Sequence, residues 1–330
     1  MERRTTGDLD GDGRLDLIAS NWGLNSSYRV PEEAPLRIYY GDFDGNGTVD
    51  LIEAHTDGPG GRIVPRRDLM FLGGALPLLR TRFPTHAAFS TADLPAILGE
   101  QFSKAAQVQA GTLASMLFLN RGDHFEAVPL PAEAQFAPAF GVNVADFDGD
   151  GHEDVFLAQN FFATRLEDPR LDAGRGLLLR GDGRGGLTAV AGPRAGVLID
   201  GEQRASAVGD YDGDGRVDLV VAQNGGPTKL FHNETARPGL RVRLAGPKGN
   251  PRGVGATMRL LSGARPGPAR EVHAGSGYWS QDSATQVLTA PEAPTALWIR
   301  WPGGRVTTNA IPANAREIIA AVDGTVRGVR

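Results

Sequence analysis

Cysteine is missing from this 330-residue chain. That excludes disulfides, thiolate metal sites and cysteine nucleophiles. No apolar run approaches the roughly 18 residues of a membrane-spanning helix, so no transmembrane segment is expected. The start, MERRTTGD, lacks the apolar core of a signal peptide. Lysine is scarce: 31 of the 34 basic residues are arginine, a bias we read as genomic base composition. No basic run is interleaved with aromatics, which argues against nucleic-acid binding. The six histidines (His55, His86, His124, His152, His232, His273) are scattered, with no HExxH and no close pair, so no zinc site is expected. No GxSxG nucleophile elbow occurs. GDGRGG at 181–186 has no following Lys-Ser/Thr and reads as a hairpin turn rather than a phosphate loop.

Glycine (45 residues) and proline (22) are abundant without forming low-complexity runs, which points to many tight turns and short strands. Against that background one pattern recurs four times: DLDGDGRLD at 8–16, DFDGNGTVD at 42–50, DFDGDGHED at 146–154 and DYDGDGRVD at 210–218. Their alternate positions hold 15 of the 39 acidic residues, so the rest of a chain of net charge −5 is basic. Positions 4 and 6 are glycine in every copy, and glycine permits a curl closed to other residues. Such a curl turns positions 1, 3, 5 and 9 toward one point. Carboxylates there repel one another unless a cation sits among them, and hard oxygens in a flexible loop favour calcium over magnesium. The side chain at position 7 (Arg14, Thr48, His152, Arg216) varies in chemistry, as expected of a residue giving only its carbonyl oxygen. Position 2 (Leu9, Phe43, Phe147, Tyr211) is expected to anchor each loop on apolar neighbours, and position 10 (Leu17, Leu51, Val155, Leu219) to return the chain to a buried strand. Four acidic turns without an ion would not require two glycines and four oxygens in register.

An EF-hand needs glutamate at position 12 and a helix on each side. Glu53 falls there in the second loop, but Ala19, Leu157 and Val221 do in the others. The flanks RIYYG, AFGVNVA and VFLAQN read as strands, so the Glu53 match is taken as coincidence.

VADFDGDGHEDVFLAQN at 144–160 aligns without a gap on VGDYDGDGRVDLVVAQN at 208–224. Between the acidic loops lies a second hairpin type, MLFLNRGDHFEAV at 116–128 and LLLRGDGRGGLTAV at 177–190. Two hairpins per repeat suggest a four-stranded sheet, and stacking such sheets radially gives a β-propeller. The second acidic loop, by its spacing from the first, is expected in the second hairpin of the first blade. About four blades or parts of blades precede residue 235, so either blades are missing from the N-terminus or the sheets form an open arc. Residues 57–112 break the pattern; PRRDLMFLGGALPLLRTRF and TADLPAILGEQFSKAAQ look helical, either a binding lid or a cover for a sheet edge. From 236 to 330, LRVRLAG, GATMRLLSG, REVHAGSGYWS, ALWIRWPGGRV and REIIAAVDG read as strands of a separate β domain.

The DxDGDGxxD loops resemble FG-GAP/VCBS repeats of the kind found in integrin-α propellers. The C-terminal run, on GLRVRLAGPKGNPRGVGATMRL, GSGYWSQDSA and IRWPGGRV, resembles the ASPIC/UnbV domain of cartilage-acidic-protein-like proteins. The chain departs from that family after the SQ segment, where TQVLTAP replaces a Phe-Gly-Leu-Gly turn. The resemblance implies an all-β chain: a propeller, partial or N-terminally truncated, at 1–235 with a helical insertion at about 57–112, then a small β-sandwich-like domain at 236–330. It implies an extracellular, periplasmic or cell-surface calcium-binding protein with an adhesion or recognition role, up to four Ca2+ ions, and an unidentified protein or glycan partner. The ligands it implies are Asp8, Asp10, Asp12, Arg14 and Asp16; Asp42, Asp44, Asn46, Thr48 and Asp50; Asp146, Asp148, Asp150, His152 and Asp154; and Asp210, Asp212, Asp214, Arg216 and Asp218, the position-7 residues through their carbonyls. It supplies no catalytic residues. The rival reading is a carbohydrate-binding or carbohydrate-active protein with a propeller-face cleft. An enzyme would need a carboxylate pair outside the loops. Glu126, Glu133 and Glu153 are available without diagnostic spacing, and Trp22, Tyr278, Trp279, Trp298 and Trp301 could either stack on sugars or pack in cores. The tripeptides Arg121-Gly122-Asp123 and Arg180-Gly181-Asp182 spell an adhesion motif but fall where a turn needs Gly-Asp anyway.

Overall fold

The computed structural model describes residues 3–31, 34–58 and 61–329. It is all-β, built of several small and mainly antiparallel sheets, with a few short helices. The chain divides into two compact units, Met1–Ser26 with Ala114–Arg330, and Ser27–Leu113.

Strands β1 (Arg3–Gly7) and β2 (Asp16–Ser20) open the chain. The second unit follows: β3 (Leu36–Gly41), β4 (Asp50–Asp57), β5 (Arg62–Pro65), helices α1 (Leu69–Ala75), α2 (Leu78–Arg82), α3 (His86–Ser90) and α4 (Leu94–Leu98), then β6 (Ala106–Ala110). Its sheet runs β5-β4-β3-β6. The helices are short because Pro77, Pro84 and Pro95 punctuate the segment; Asp68, Thr85 and Asp93 cap α1, α3 and α4 by accepting a backbone N–H. Leu69, Leu72, Leu76, Leu79, Phe89 and Ile97 pack on Tyr39, Phe43, Ile52 and Ala54, so the helices cover the face of this sheet.

Back in the first unit, β7 (Met116–Asn120) and β8 (Phe125–Pro129) complete the opening sheet in the order β1-β2-β7-β8. The next sheet holds β9 (Ala139–Ala145), β10 (Asp154–Gln159), β11 (Leu177–Gly181) and β12 (Leu187–Val190), in that order. A three-stranded sheet of β13 (Glu202–Gly209), β14 (Asp218–Asn224) and β15 (Gly226–Phe231) follows. β9 lies against β1 on one side and β13 on the other, so the first strand of each sheet lines a common inner edge, as in propeller blades. Every residue of β10 is buried. Because strand side chains alternate, Val155 and Leu157 enter the core shared with Leu9, Ile18, Leu117 and Val142, while Phe156 and Ala158 join Ile199, Leu219 and Val221.

The C-terminal segment is a sandwich of two sheets. One holds β16 (Leu240–Ala245), β20 (Gln286–Leu288), β23 (Glu317–Ala321) and β24 (Val326–Val329), with β16 and β23 parallel. The other holds β17 (Thr257–Ser262), β18 (Arg265–Pro266), β19 (Arg270–Glu271), β21 (Ala296–Arg300) and β22 (Val306–Ala310). Val242, Leu244, Met258, Leu260, Leu297, Ile299, Trp301 and Ile318 fill the space between them.

The second acidic loop is not in the outer hairpin of the first blade, contrary to its chain spacing. It joins β3 and β4 as the turn of a separate sheet, and the first sheet takes its outer hairpin from β7 and β8. Spacing along the chain could not decide this, because pairing is set by which apolar strand β2 meets, and Leu17–Ala19 meets Met116–Phe118. The compact unit that carries this sheet spans Ser27–Leu113.

Candidate metal centres

All four acidic loops occupy the same place in their sheets. The strand pairs that flank them close on Gly7 and Asp16, Gly41 and Asp50, Ala145 and Asp154, Gly209 and Asp218. No flanking helix is present, which removes the EF-hand. Glu53 is turned to Tyr28 and Arg67 instead, accepting from the Tyr28 hydroxyl at 3.0 Å and lying 2.8 Å from Arg67 Nε. The glycines at positions 4 and 6 all have φ between 74° and 93°, the left-handed region that disfavours a side chain.

The third loop shows how this curl is held. Asp146 Oδ1 accepts the N–H groups of Gly149 (2.7 Å) and Asp150 (3.1 Å), and its Oδ2 accepts that of Gly151 (2.7 Å). At the other end Asp154 Oδ2 accepts the Phe147 N–H at 2.9 Å, and its Oδ1 the Gly181 N–H of β11 at 2.8 Å. The second and fourth loops repeat the first-position contacts through Asp42 and Asp210. The ninth position staples the second in every loop, through Asp16, Asp50, Asp154 and Asp218.

These contacts bring positions 1, 3 and 9 together. Carboxylate oxygens of Asp8, Asp10 and Asp16 lie within 4.8 Å of one another, as do those of Asp42, Asp44 and Asp50, of Asp146, Asp148 and Asp154, and of Asp210, Asp212 and Asp218. Position 5 stands outside each trio. Asp12, Asn46, Asp150 and Asp214 turn back to accept the N–H of Arg14, Thr48, His152 and Arg216. In the fourth loop Asp214 makes a second group with Asp212 and His232, which the scattered histidines of the sequence did not suggest.

Position 2 anchors as expected in Leu9 and Phe43, both buried, and in Phe147, packed against the core clusters that hold Phe156 and Val217. Tyr211 is exposed and stands edge-on to His232; a phenol tolerates water that Leu or Phe would not. At position 10, Val155 and Leu219 are buried, but Leu51 is exposed because β4 turns Ile52 and Ala54 to the helices and its alternate residues away.

The electrostatics are those of buried anions lacking enough positive charge. Burial pushes the carboxyls of Asp8 and Asp16 up to about 6 and that of Asp154 up to about 8, against the backbone N–H bonds that oppose the shift. Asp148 is also raised, by burial first and by Asp150 second, and Asp218 by burial. Asp8 Oδ1 is buried with no hydrogen-bond partner. A hard divalent cation fits this donor set: it would neutralise the cluster and give that oxygen a partner. Several of these acidic groups could therefore hold a metal ion.

Neighbouring basic side chains already lean on the loops. Arg121 Nη1 lies 2.6 Å from Asp10, Arg180 reaches both Asp148 (2.8 Å) and Asp150 (2.9 Å), and His232 Nε2 lies 3.0 Å from Asp212. The arginines of the two Arg-Gly-Asp tripeptides are thus engaged with loop aspartates. The sequence also gave no hint that the C-terminal sandwich meets three of the loops at their first aspartate. Ala269 N donates to Asp8 at 2.7 Å, Thr289 Oγ1 donates to Asp146, and Arg241 Nη1 donates to Asp210 at 2.5 Å. An amide, a hydroxyl and a guanidinium share no sequence signature. Of the glutamates considered for acid–base work, Glu126 pairs with Arg121 and Glu153 is buried against Arg270.

No curated protein matches the chain. Among solved structures it is similar to a rhamnogalacturonan lyase PL11 of Bacillus licheniformis, at 15% identity over 94% of this chain and 57% of the lyase, with a TM-score of 0.23. It is also similar to the V. cholerae biofilm matrix protein Bap1, at 12% identity over 94% of this chain and 64% of Bap1, with a TM-score of 0.16. The chain thus spans less than two thirds of either protein. Among described helices none is long and apolar enough to cross a membrane. Residues 204–235, which contain the fourth acidic loop, match the model of the FG-GAP repeat.

Proposed function

We propose that this is a calcium-binding, non-enzymatic recognition or adhesion protein in which Ca2+ ions pin the hairpin loops of an integrin-α-like propeller. The observation that carries the reading is the fourfold convergence of positions 1, 3 and 9 on one point, in loops of identical register, with a buried Asp8 oxygen lacking any partner. Up to four ions would be held, by Asp8, Asp10, Asp12 and Asp16; Asp42, Asp44, Asn46 and Asp50; Asp146, Asp148, Asp150 and Asp154; and Asp210, Asp212, Asp214 and Asp218, with carbonyls of Arg14, Thr48, His152 and Arg216. The ion supplies charge neutralisation and a fixed centre for hard oxygens; the protein supplies the glycine curl and the N–H groups that aim the carboxylates. The FG-GAP match at 204–235 supports the recognition class. We assign residues 1–235 to the propeller with its insertion and 236–330 to an ASPIC/UnbV-like domain, in an extracellular, periplasmic or cell-surface protein. Calcium dissociation constants of about 10⁻⁴–10⁻³ M would suit a calcium-rich exterior.

The test is thermal melting of calcium-loaded protein, with bound calcium measured by elemental analysis, before and after excess chelator. We expect a lower melting temperature on chelation and recovery on adding Ca2+ back. Unchanged melting of protein shown to have carried calcium would overturn the reading.

A further inference from the structure

The strands carry their acidic loops at one end, and the opposite end holds a different kind of site. Phe140 is the second residue of β9 and Phe161 follows the end of β10, so both lie about a full strand away from the third loop. Arg204 lies near the start of β13, with Gln223 and Asn224 at the end of β14, equally far from the fourth. These five residues and Tyr278 line an open cavity of about 470 Å³. We propose that it binds a neutral glycan.

Three features carry this. First, the polar groups are held in place before any ligand arrives. Arg204 lies over the Phe140 ring at 4.1 Å and over Phe161 at 5.1 Å, and donates to Glu202 at 2.5 Å. Glu202 also accepts from Asn224 Nδ2 (2.6 Å) and from the Phe162 N–H (2.8 Å). Planar guanidinium and amide groups fixed in this way match the paired hydroxyls of a sugar ring.

Second, an aromatic side chain stands in water beside the cavity at a conformational cost. Trp279 is 89% exposed and has φ of 49°, left-handed for a non-glycine residue. Its ring is edge-on to Tyr278. The loop is braced by Ser276 N–H to Ser280 O (2.9 Å), by Ser280 Oγ to Tyr278 O (2.8 Å) and by a bridge between Gly277 and Gly141 of β9. A large apolar face held exposed by a braced, strained turn is suited to stacking on the C–H face of a sugar. By contrast Trp301 is core, Trp298 lies within β21 and Trp22 is half-buried with its ring 5.2 Å from that of Phe161, so of the tryptophans considered for stacking Trp279 is the one held out in solvent.

Third, charge chooses the class of glycan. The cavity's guanidinium is already paired with a carboxylate, leaving no uncompensated charge to receive an acidic sugar. The ligand is therefore a neutral oligosaccharide.

This names the partner class for the recognition role above and rests on that reading only for the role, not for the calcium chemistry. The experiment uses the whole chain in millimolar calcium, with bound calcium and melting temperature recorded for every sample. Neutral gluco-, galacto- and N-acetylglucosamine oligosaccharides and, separately, uronic-acid oligomers are titrated by calorimetry and by acrylamide quenching of tryptophan fluorescence. We expect a neutral series to bind and to shield Trp279 from acrylamide. Trp279→Ala should weaken calorimetric affinity about tenfold, roughly 1.4 kcal/mol, at unchanged melting temperature and calcium content, and Asn224→Ala should weaken it comparably at unchanged calcium content. The proposal is overturned by absence of neutral-glycan binding at millimolar concentration in folded protein, by binding of uronic-acid oligomers alone, or by affinity untouched in Trp279→Ala. Glycan binding that persists in protein whose melting ignores chelation would sink the calcium reading and leave this one standing.

Discussion

Arg270 of the C-terminal sandwich forms a two-pronged ion pair with Glu153, the residue beside the last aspartate of the third loop. Nε donates to Oε1 at 3.0 Å and Nη2 to Oε2, while Nη1 holds the Val287 carbonyl at 2.9 Å. Both side chains are nearly out of solvent, at 11% and 3% exposure. Burial, with a smaller push from the Asp146 charge, raises the Glu153 carboxyl, and Arg270 is the main force against that.

Removing one partner strands the other charge. Arg270→Met is expected to destabilise by about 3–5 kcal/mol, read as a shift in the denaturant midpoint. Glu153→Gln with Arg270→Met should recover part of this loss, because no unpaired charge then remains. With Glu153→Gln alone measured as well, losses in the two single variants that simply add up in the double variant would mean that the pair is not coupled.

Two aspartates of one loop separate folding from ion binding. Asp154 satisfies two backbone N–H groups, those of Phe147 and Gly181. Asp154→Ala leaves both without their acceptor, at about 1–3 kcal/mol each, so it should destabilise with or without calcium. Asp148 is 39% exposed and pairs on the surface with Arg180. Asp148→Ala should leave stability in chelator within about 1 kcal/mol of the parent and reduce the stabilisation gained on adding calcium. Melting curves of both variants in chelator and in calcium check this.

These loops also mark what the sequence could and could not say. The glycine pair and the alternating oxygens are local, and a curl of nine residues needs no distant partner, so its shape was legible. The strands on either side were legible for the same reason: VFLAQN has one sensible conformation between a turn and a core. What met the loops was not legible. Nothing in Thr289, Ala269 or Arg241 announces contact with Asp146, Asp8 or Asp210, because those contacts arise only when the sandwich packs on the blades. The assignment of Asp42–Asp50 to a blade's outer hairpin failed for a related reason: strand pairing between Ile18 and Leu117 spans a whole inserted unit.

Asp282 offers a pH test away from the acidic loops. Its Oδ1 accepts the Val208 N–H at 2.8 Å and Asn143 Nδ2 at 3.0 Å, with Ser276 and His273 nearby. Burial is the largest influence and raises its carboxyl above the ordinary value of 3.8, against these hydrogen bonds and the His273 charge. A folded value above the unfolded one means that the group's contribution is fully present below about pH 4. It is lost as pH rises through the folded value. Asp282→Asn keeps an acceptor oxygen and never ionises. The melting temperature of the parent, measured relative to this variant, should therefore fall as pH rises from about 4 toward 7. A constant difference across that range would show that Asp282 does not titrate differently in the fold.

Arg180 sets the last expectation. Its guanidinium bridges Asp148 Oδ2 at 2.8 Å and Asp150 Oδ2 at 2.9 Å, on a half-exposed side chain. In ion-free protein it offsets part of the repulsion among the aspartates. Once a divalent cation is present, the same guanidinium repels it. Two charges a few ångströms apart in water interact by about 1 kcal/mol per unit charge, before screening by salt. Arg180→Gln should therefore slightly destabilise the chelated protein and strengthen calcium binding by about three- to tenfold, the gain shrinking as salt is added. Calorimetric titration of calcium into parent and variant at two ionic strengths measures this. Weaker binding in the variant would mean that Arg180 positions the aspartates for the ion rather than competing with it.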